Sequence, residues 1–353
     1  MTLTDANARI PARELPAFWV GDNADTTPRW STLERAQVSV LTTSPGGRPV
    51  HLVAYGEHEP VRGKANFNSA IGGRAAEAYL DRAARRRPVV FFLGPVHGQE
   101  TEGLTGLANL IAVLETGHDL RGQPQIELQD LGRRCRLLIV PDGNPDGLAR
   151  FTPRTLQGMA ADDIRFWGQG TWADGSLCSW PECKRQHPMA GPNVGFLGCY
   201  FDDAGVNPMH DEFFNPLGPE APAILRLAQA EGPDFAVSLH SHAGNPTLLR
   251  PSFVPLETQE QVRELALAYY ALCAERGLPH GQPYGVQPEK GPMPAPFNLV
   301  SALYHVCGTA AFTFECPHGI RGDTACMVSL EQILDIQLAL YTALLRFALA
   351  LKP

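Results

Sequence analysis

Short apolar runs and longer amphipathic stretches alternate along most of this 353-residue chain. Val89-Val90-Phe91-Phe92-Leu93, Cys135-Arg136-Leu137-Leu138-Ile139-Val140, Phe235-Ala236-Val237-Ser238-Leu239 and Ala310-Ala311-Phe312-Thr313-Phe314 are short and rich in β-branched and aromatic residues. Such runs predict strands buried on both faces. Ala36–Leu41 and Pro49–Tyr55 flank Pro45-Gly46-Gly47 and predict a hairpin. Helical periodicity covers Thr101–Leu114, 219–230, 256–276 and 329–351. Residues 73–87 predict one more helix, whose end Arg85-Arg86-Arg87 suits the helix dipole as a solvated cationic terminus. Strands alternating with helices place the chain in the α/β class, with a mixed, mostly parallel sheet covered on both faces.

Residues 1–34 are polar and irregular, with Pro11, Pro16 and Pro28, and are expected to wrap the surface. Residues 35–353 read as a single domain, since no long polar linker divides them. Within it, 150–215 forms a long insertion holding Trp167, Trp172 and Trp180 but few periodic segments. Long irregular segments in a compact domain are commonly functional, and this one is expected to roof the active site and shape the substrate pocket. A formal net charge of −8 excludes nucleic acid and anionic membranes as partners, because both require a basic surface. No apolar run at the N-terminus reaches signal-peptide length, and none elsewhere approaches the roughly 18 residues of a membrane span. The expectation is a soluble, cytoplasmic protein whose eight cysteines are free thiols. Cys135, Cys273 and Cys307 lie in apolar runs and read as core. Cys178, Cys183 and His187 loosely resemble a metal site, but without a second cysteine pair they read as reduced loop residues.

Three of the apolar strands end in residues that carry chemistry. His97-Gly98-Gln99-Glu100 follows the first, His240 ends the strand 235–239, and Glu315 follows Phe314. In open α/β sheets ligands bind beyond the carboxyl ends of the strands. Two imidazoles and a carboxylate make a three-ligand set for one zinc ion with a position left open for water. Glu315 is then placed to take that water's proton.

At these residues the chain resembles the zinc carboxypeptidase family, the metallocarboxypeptidases of the carboxypeptidase A type. The motifs are His97-Gly98-Gln99-Glu100-Thr101-Glu102-Gly103, Asn144-Pro145-Asp146-Gly147, Leu239-His240-Ser241 and Phe312-Thr313-Phe314-Glu315, with Ser44–Val50 similar to the turn before the family's second strand. The resemblance spans roughly residues 35–350. It implies a twisted sheet of the eight-stranded type, one Zn2+ on His97, Glu100 and His240, Glu315 as the catalytic acid–base, and a peptide or small amide as substrate.

The departures bear on specificity. The family grips the substrate's terminal carboxylate with an Asn-Arg pair, and Met209-His210 stands there instead. Arginine binds carboxylates bidentately, whereas histidine does so only when protonated. Asn207 replaces an aspartate that orients a zinc-bound histidine in the family. Near Gly291-Pro292-Met293-Pro294, where the family's mobile tyrosine is expected, there is none; Tyr284 and Tyr304 are the nearest. Arg165 is the candidate for stabilising the oxyanion, with Arg150, Arg154 and Arg185 as competitors. His210, Asn207, Arg250 and Tyr284 are candidate substrate-binding residues, and Arg321 is a further possible carboxylate anchor. His242 would share the face of His240 if the strand continued; a turn at Ala243-Gly244 is expected, which still leaves it able to line the pocket, and His318 is expected near the site or in a loop. The reading is a zinc-dependent hydrolase of a peptide or amide bond with altered carboxylate recognition. The alternatives are an N-acyl amino acid deacylase of the aspartoacylase type and a non-catalytic binding protein on the same scaffold.

Overall fold

In the computed structural model, which describes residues 1–24, 26–59, 63–285 and 296–352, the four apolar runs form the centre of one sheet. The strands are β1 (Gln37–Thr43), β2 (Pro49–Tyr55), β3 (Val89–Leu93), β4 (Arg136–Val140), β5 (Gly170–Trp172), β6 (Val194–Leu197), β7 (Phe235–His242), β8 (Thr247–Leu248) and β9 (Ala310–Pro317). Seven of them make the main sheet in the order β1-β2-β4-β3-β7-β9-β8, and β5 and β6 make a separate ribbon. β4, β3, β7 and β9 run parallel, while the hairpin β1–β2 and the edge strand β8 are antiparallel. The sheet is mixed, with a parallel centre, and among the described residues it has seven strands rather than the eight expected.

Every residue of β3 and β4 is buried, because helices cover both faces. Val90, Phe92, Leu137, Ile139, Val237, Phe312 and Phe314 pack against the helices Thr101–Thr116, Ile126–Arg133, Leu256–Glu275 and Leu330–Ala350. Phe91, Leu93, Leu138, Val140, Ala236 and Ala311 face the opposite layer, built from Phe67–Gly72, Glu220–Glu231 and Leu299–Cys307. The period-two alternation of each strand is therefore shared between two cores. Leu330–Ala350 is long and apolar enough to cross a membrane, contrary to the expectation that no stretch is. It is a core helix, with 72% of that stretch buried inside the protein.

Two local expectations fail for identifiable reasons. No helix runs over 73–87. The helix Phe67–Gly72 ends at Gly73, Arg74 turns left-handed (φ 54°), and two short 3-10 turns follow. Arg85 is buried, and its guanidinium donates to Glu231 O (2.7 Å) and Gly232 O (2.8 Å). It satisfies the last carbonyls of the helix Glu220–Glu231 instead of ending a helix of its own. Residues 1–34 do more than cover the surface. Phe18, Trp19, Val20 and Trp30 join the main core, and Thr105 Oγ1 and Asn109 Nδ2 donate to Val20 O and Phe18 O. The 150–215 segment also has its own small cores, one around Phe151, Phe166 and Trp167 and another around Cys178, Cys183, Met189 and Phe201.

Candidate active site

The parallel strands present their carboxyl ends at one edge of the sheet, and the chain after β3 crosses that edge tightly. Gly98 N donates to Cys199 O (2.7 Å), and a Cβ at position 98 would lie 2.1 Å from Gly147 C and Leu148 N. Only glycine permits this approach. Asn144 braces the same turn: its Nδ2 donates to Val96 O (3.1 Å) while its Oδ1 caps the helix Pro145–Arg150 at Gly147 N. Asp146 accepts from Ser44 Oγ, Gly46 N, Arg48 Nη1 and Asp203 N, tying the hairpin turn to the far loop.

This bracing sets His97 Nδ1 2.9 Å from Glu100 Oε1. From β7, His240 Nδ1 reaches 3.0 Å from Glu100 Oε2 and 3.2 Å from His97 Nδ1. All three side chains are buried, and their ligand atoms lie within 4.8 Å of one another. Two ring nitrogens facing each other beside a buried carboxylate form a cage of lone pairs suited to a single cation. The His-Glu-His set is the donor chemistry of zinc. Burial alone would raise the Glu100 carboxyl, but His97 and His240 overcome it and hold it at about 2, so it is anionic. Ser238 Oγ lies 3.0 Å from His240 Nε2 and fixes which ring nitrogen faces inward. Tyr200 stacks on His97 with centroids 3.9 Å apart and planes 14° apart.

Glu315 is the register partner of His240 on the neighbouring parallel strand, so both point from one face of the sheet. Burial raises its carboxyl; His240 opposes that rise and Glu100 adds to it. His97, Glu100, His240 and Glu315 share a pocket of about 500 Å³, walled by Trp180, Lys184, Tyr200, Met209, His210 and Leu249.

The remaining candidates divide. His210 lines this pocket. Burial, reinforced by the charges of Lys184 and the neighbouring histidines, lowers it to about 2, so the imidazole is neutral and holds no carboxylate by charge. Asn207 does not orient a zinc-ligand ring: its side chain accepts from Met209 N (3.0 Å) and caps the short turn Pro208–His210. Arg165 stands exposed beside Asp162 (3.5 Å), outside the residues that line the pocket. Arg150 is committed to Asp203 and to Gly198 O and Phe201 O. Tyr284 donates to Gln259 O (2.9 Å) and packs against the main core, and Arg250 Nη1 lies 3.5 Å from Gly285 O; neither lines the pocket. Positions 291–294 lie outside the described residues. β7 continues through His242, the chain bends at Ala243-Gly244 as expected, and His242 lines the pocket. His318 is buried 3.2 Å from Glu102. Among the described residues no second metal group forms: Cys178 and Cys183 are buried thiols, and His187 Nε2 accepts from Asn207 N. Nothing in the sequence singles out Tyr200 or Lys184, since neither belongs to a motif or a periodic segment; the tryptophans of 150–215 are the only signal.

The zinc carboxypeptidase family matches residues 31–311, with Glu315 just past the matched span. Among solved structures, the fold is similar to a metallo-carboxypeptidase from Burkholderia cenocepacia, with TM-score 0.55, 18% identity, 93% of this chain and 69% of that one. It is also similar to carboxypeptidase A from Helicoverpa armigera, with TM-score 0.51, 13% identity, 99% of this chain and 78% of that one. No curated protein matches by sequence. With the match covering most of its length, this chain belongs to the zinc carboxypeptidase family.

Proposed function

We propose that the protein is a zinc-dependent hydrolase of peptide or amide bonds whose recognition of the substrate's carboxylate differs from the family's. The observation that carries this reading is the buried cluster of His97, Glu100 and His240 with Glu315 beside it on the adjacent strand. His97 and His240 would hold the ion through Nδ1, and Glu100 through its carboxylate. When bound, zinc supplies Lewis acidity toward the scissile carbonyl and lowers the pKa of water. Glu315 accepts a proton from the attacking water and returns it to the leaving nitrogen. A carboxyl raised by burial is suited to holding that proton between the two transfers. Tyr200 and Ser238 keep the imidazoles in register. Met209 and His210, which by the sequence resemblance stand in for Asn-Arg, line the pocket, and no arginine lines it among the described residues.

The test pairs metal analysis with turnover. The wild type is expected to bind one zinc ion and hydrolyse N-acyl dipeptides, while Glu315→Gln keeps the zinc and loses at least about a hundredfold in kcat. Loss of zinc from Glu315→Gln, or undiminished turnover, refutes the role given to Glu315; a wild type that binds no zinc refutes the whole reading.

A further inference from the structure

The edge of the sheet opposite the metal cluster carries a concentration of cations that the hydrolase reading does not use. The parallel strands begin there, and β3 alone, five residues long, sets about 16 Å between the two edges. At the starts of β7 and β9 a hollow of about 460 Å³ has Arg82, Arg85, Arg86 and Lys352 in its wall. A second hollow of about 440 Å³, beside Pro88, shares Arg86 and Lys352 and adds Arg87, Arg133 and Arg134. The two form one trough. Its charges are poorly neutralised. Asp234 lies 3.4 Å from Arg82 Nε and 3.7 Å from Arg85 Nη1, and its Oδ2 already accepts from Val89 N. Glu59 stands 3.9 Å from Arg86, and Asp130 3.5 Å from Arg133. With Glu57, which lines the second hollow, four acids stand against seven cations. Among the described residues no carboxylate pairs with Arg87, Arg134 or Lys352; Arg87 Nη1 donates to Arg133 O (3.4 Å), and Lys352 Nζ to Arg82 O (2.6 Å) and Arg85 O (3.2 Å). Like charges held together repel, and an anion lying among them offsets that cost.

We propose that this trough is a docking surface for an acidic polypeptide segment, one whose aspartates or glutamates are spaced by aliphatic residues. The carboxylates meet the arginines, and the aliphatic side chains meet Leu349 and the exposed Leu351 at the end of the helix Leu330–Ala350. No exposed aromatic side chain lines either hollow, so nothing offers a nucleic-acid base a stacking surface or anchors the protein at a bilayer interface. The net charge of −8 over the whole chain also opposes the dense phosphates of both. A short peptide feels mainly the charges of the trough, because salt screens the more distant ones. The proposal does not depend on the hydrolase reading.

The experiment follows the fluorescence anisotropy of a labelled glutamate–leucine peptide, blocked at both ends, titrated with the full chain. Saturable binding is expected, weakening about tenfold as added salt screens the charges. Arg86 and Arg134 are exposed, so Arg86→Glu with Arg134→Glu should keep the fold and weaken binding about tenfold or more. Arg276→Glu, on an exposed residue outside the trough, should leave it unchanged. A chelator should leave it unchanged too, which separates this edge from the metal pocket. If the paired variant fails to fold, Arg134→Gln alone, whose side chain has no carboxylate partner, should still weaken binding severalfold. No saturable binding, binding indifferent to salt or to the trough variants, or an equal loss in Arg276→Glu overturns the proposal. So does a preference for a single-stranded oligonucleotide or for vesicles of anionic lipid over the peptide, which would give this edge a different partner.

Discussion

Glu220 opens the helix Glu220–Glu231 behind the active-site wall, and its carboxylate is fully buried. Neither of its oxygens meets a partner in another described residue, and Asp202 Oδ2, also buried, has none. The two acids crowd the same space: a Cβ on Gly218 would lie 3.2 Å from Glu220 Oε2 and 3.2 Å from Asp202 Oδ2. Burial first, then Asp202, pushes the Glu220 carboxyl up to about 8, with Asp146 and Asp211 adding. Burial likewise raises Asp202 to about 6. A carboxyl raised in the folded state keeps a proton that the unfolded chain releases above its ordinary 4.5. Its contribution is therefore intact below 4.5 and is lost as pH rises to about 8. At 1.36 kcal/mol for each pH unit, that window corresponds to at most about 5 kcal/mol. Glu220→Gln stays neutral at every pH. It should match the wild type to within about 1 kcal/mol at pH 5 and exceed it by roughly 3–5 kcal/mol at pH 9. With an unfolding entropy of about 2 cal/mol/K per residue, the gain at pH 9 is roughly 4–7 °C in Tm. Thermal unfolding of the two proteins side by side at each pH cancels the shared contributions of the metal and the other acids. A Tm difference that is the same at pH 5 and pH 9, or a variant less stable than the wild type at pH 9, would show that Glu220 is satisfied in a way the structure does not contain.

Ser238→Ala removes the hydroxyl at His240 Nε2 and should weaken zinc binding about ten- to hundredfold, measured by competition against a chelator, with little change in folding; unchanged affinity would mean the ring is held by packing alone. Asp146 is buried, and although burial would raise it, its bonds to Ser44, the backbone N–H groups of Asp203 and Gly46, and Arg48 depress it. Its stabilisation is present above the ordinary carboxylate value of 3.8 and is lost as pH falls through the lower folded value. Asp146→Asn should thus cost about 3 kcal/mol in denaturant unfolding at pH 7 and clearly less at pH 3, and an equal cost at both would refute the charge argument.

What the sequence disclosed, and what it withheld, follows from how far each residue's position depends on distant parts of the chain. His240 and Glu315 end apolar strands whose short length and composition are local facts. Once β7 and β9 pair in parallel, their register alone places the two side by side. His97 and Glu100 are three residues apart on one turn, so their meeting is local as well. The hairpin β1–β2 was equally plain, because the turn residues lie between two alternating runs. The helix expected over 73–87 failed because its alanines and arginines favour a helix only if nothing better is offered. Arg74 turns left-handed where it should begin, and Arg85 gains more by capping another helix through two hydrogen bonds.

The pocket wall belongs to the other kind. Lys184 reaches the metal site because Cys183 packs with Cys178, Met189 and Phe201, and Tyr200 lies on His97 because Cys199 O receives Gly98 N. Each step joins residues far apart in sequence, so no window of the chain displays it. Arg165 shows the cost of reading such a region by position: a plausible cation near the motif proves to be on the outer surface, paired with Asp162. The two kinds of legibility map onto two kinds of chemistry. The groups proposed to do the chemistry sit at or just past strand ends, where the register of the sheet sets their places and spacing betrays them. The pocket wall is built in large part from the insertion, through Trp180, Lys184, Tyr200, Met209 and His210, where loops can vary without disturbing the strand ends. The proposed chemistry can therefore be read from four residues, while the wall around them comes together only through tertiary structure.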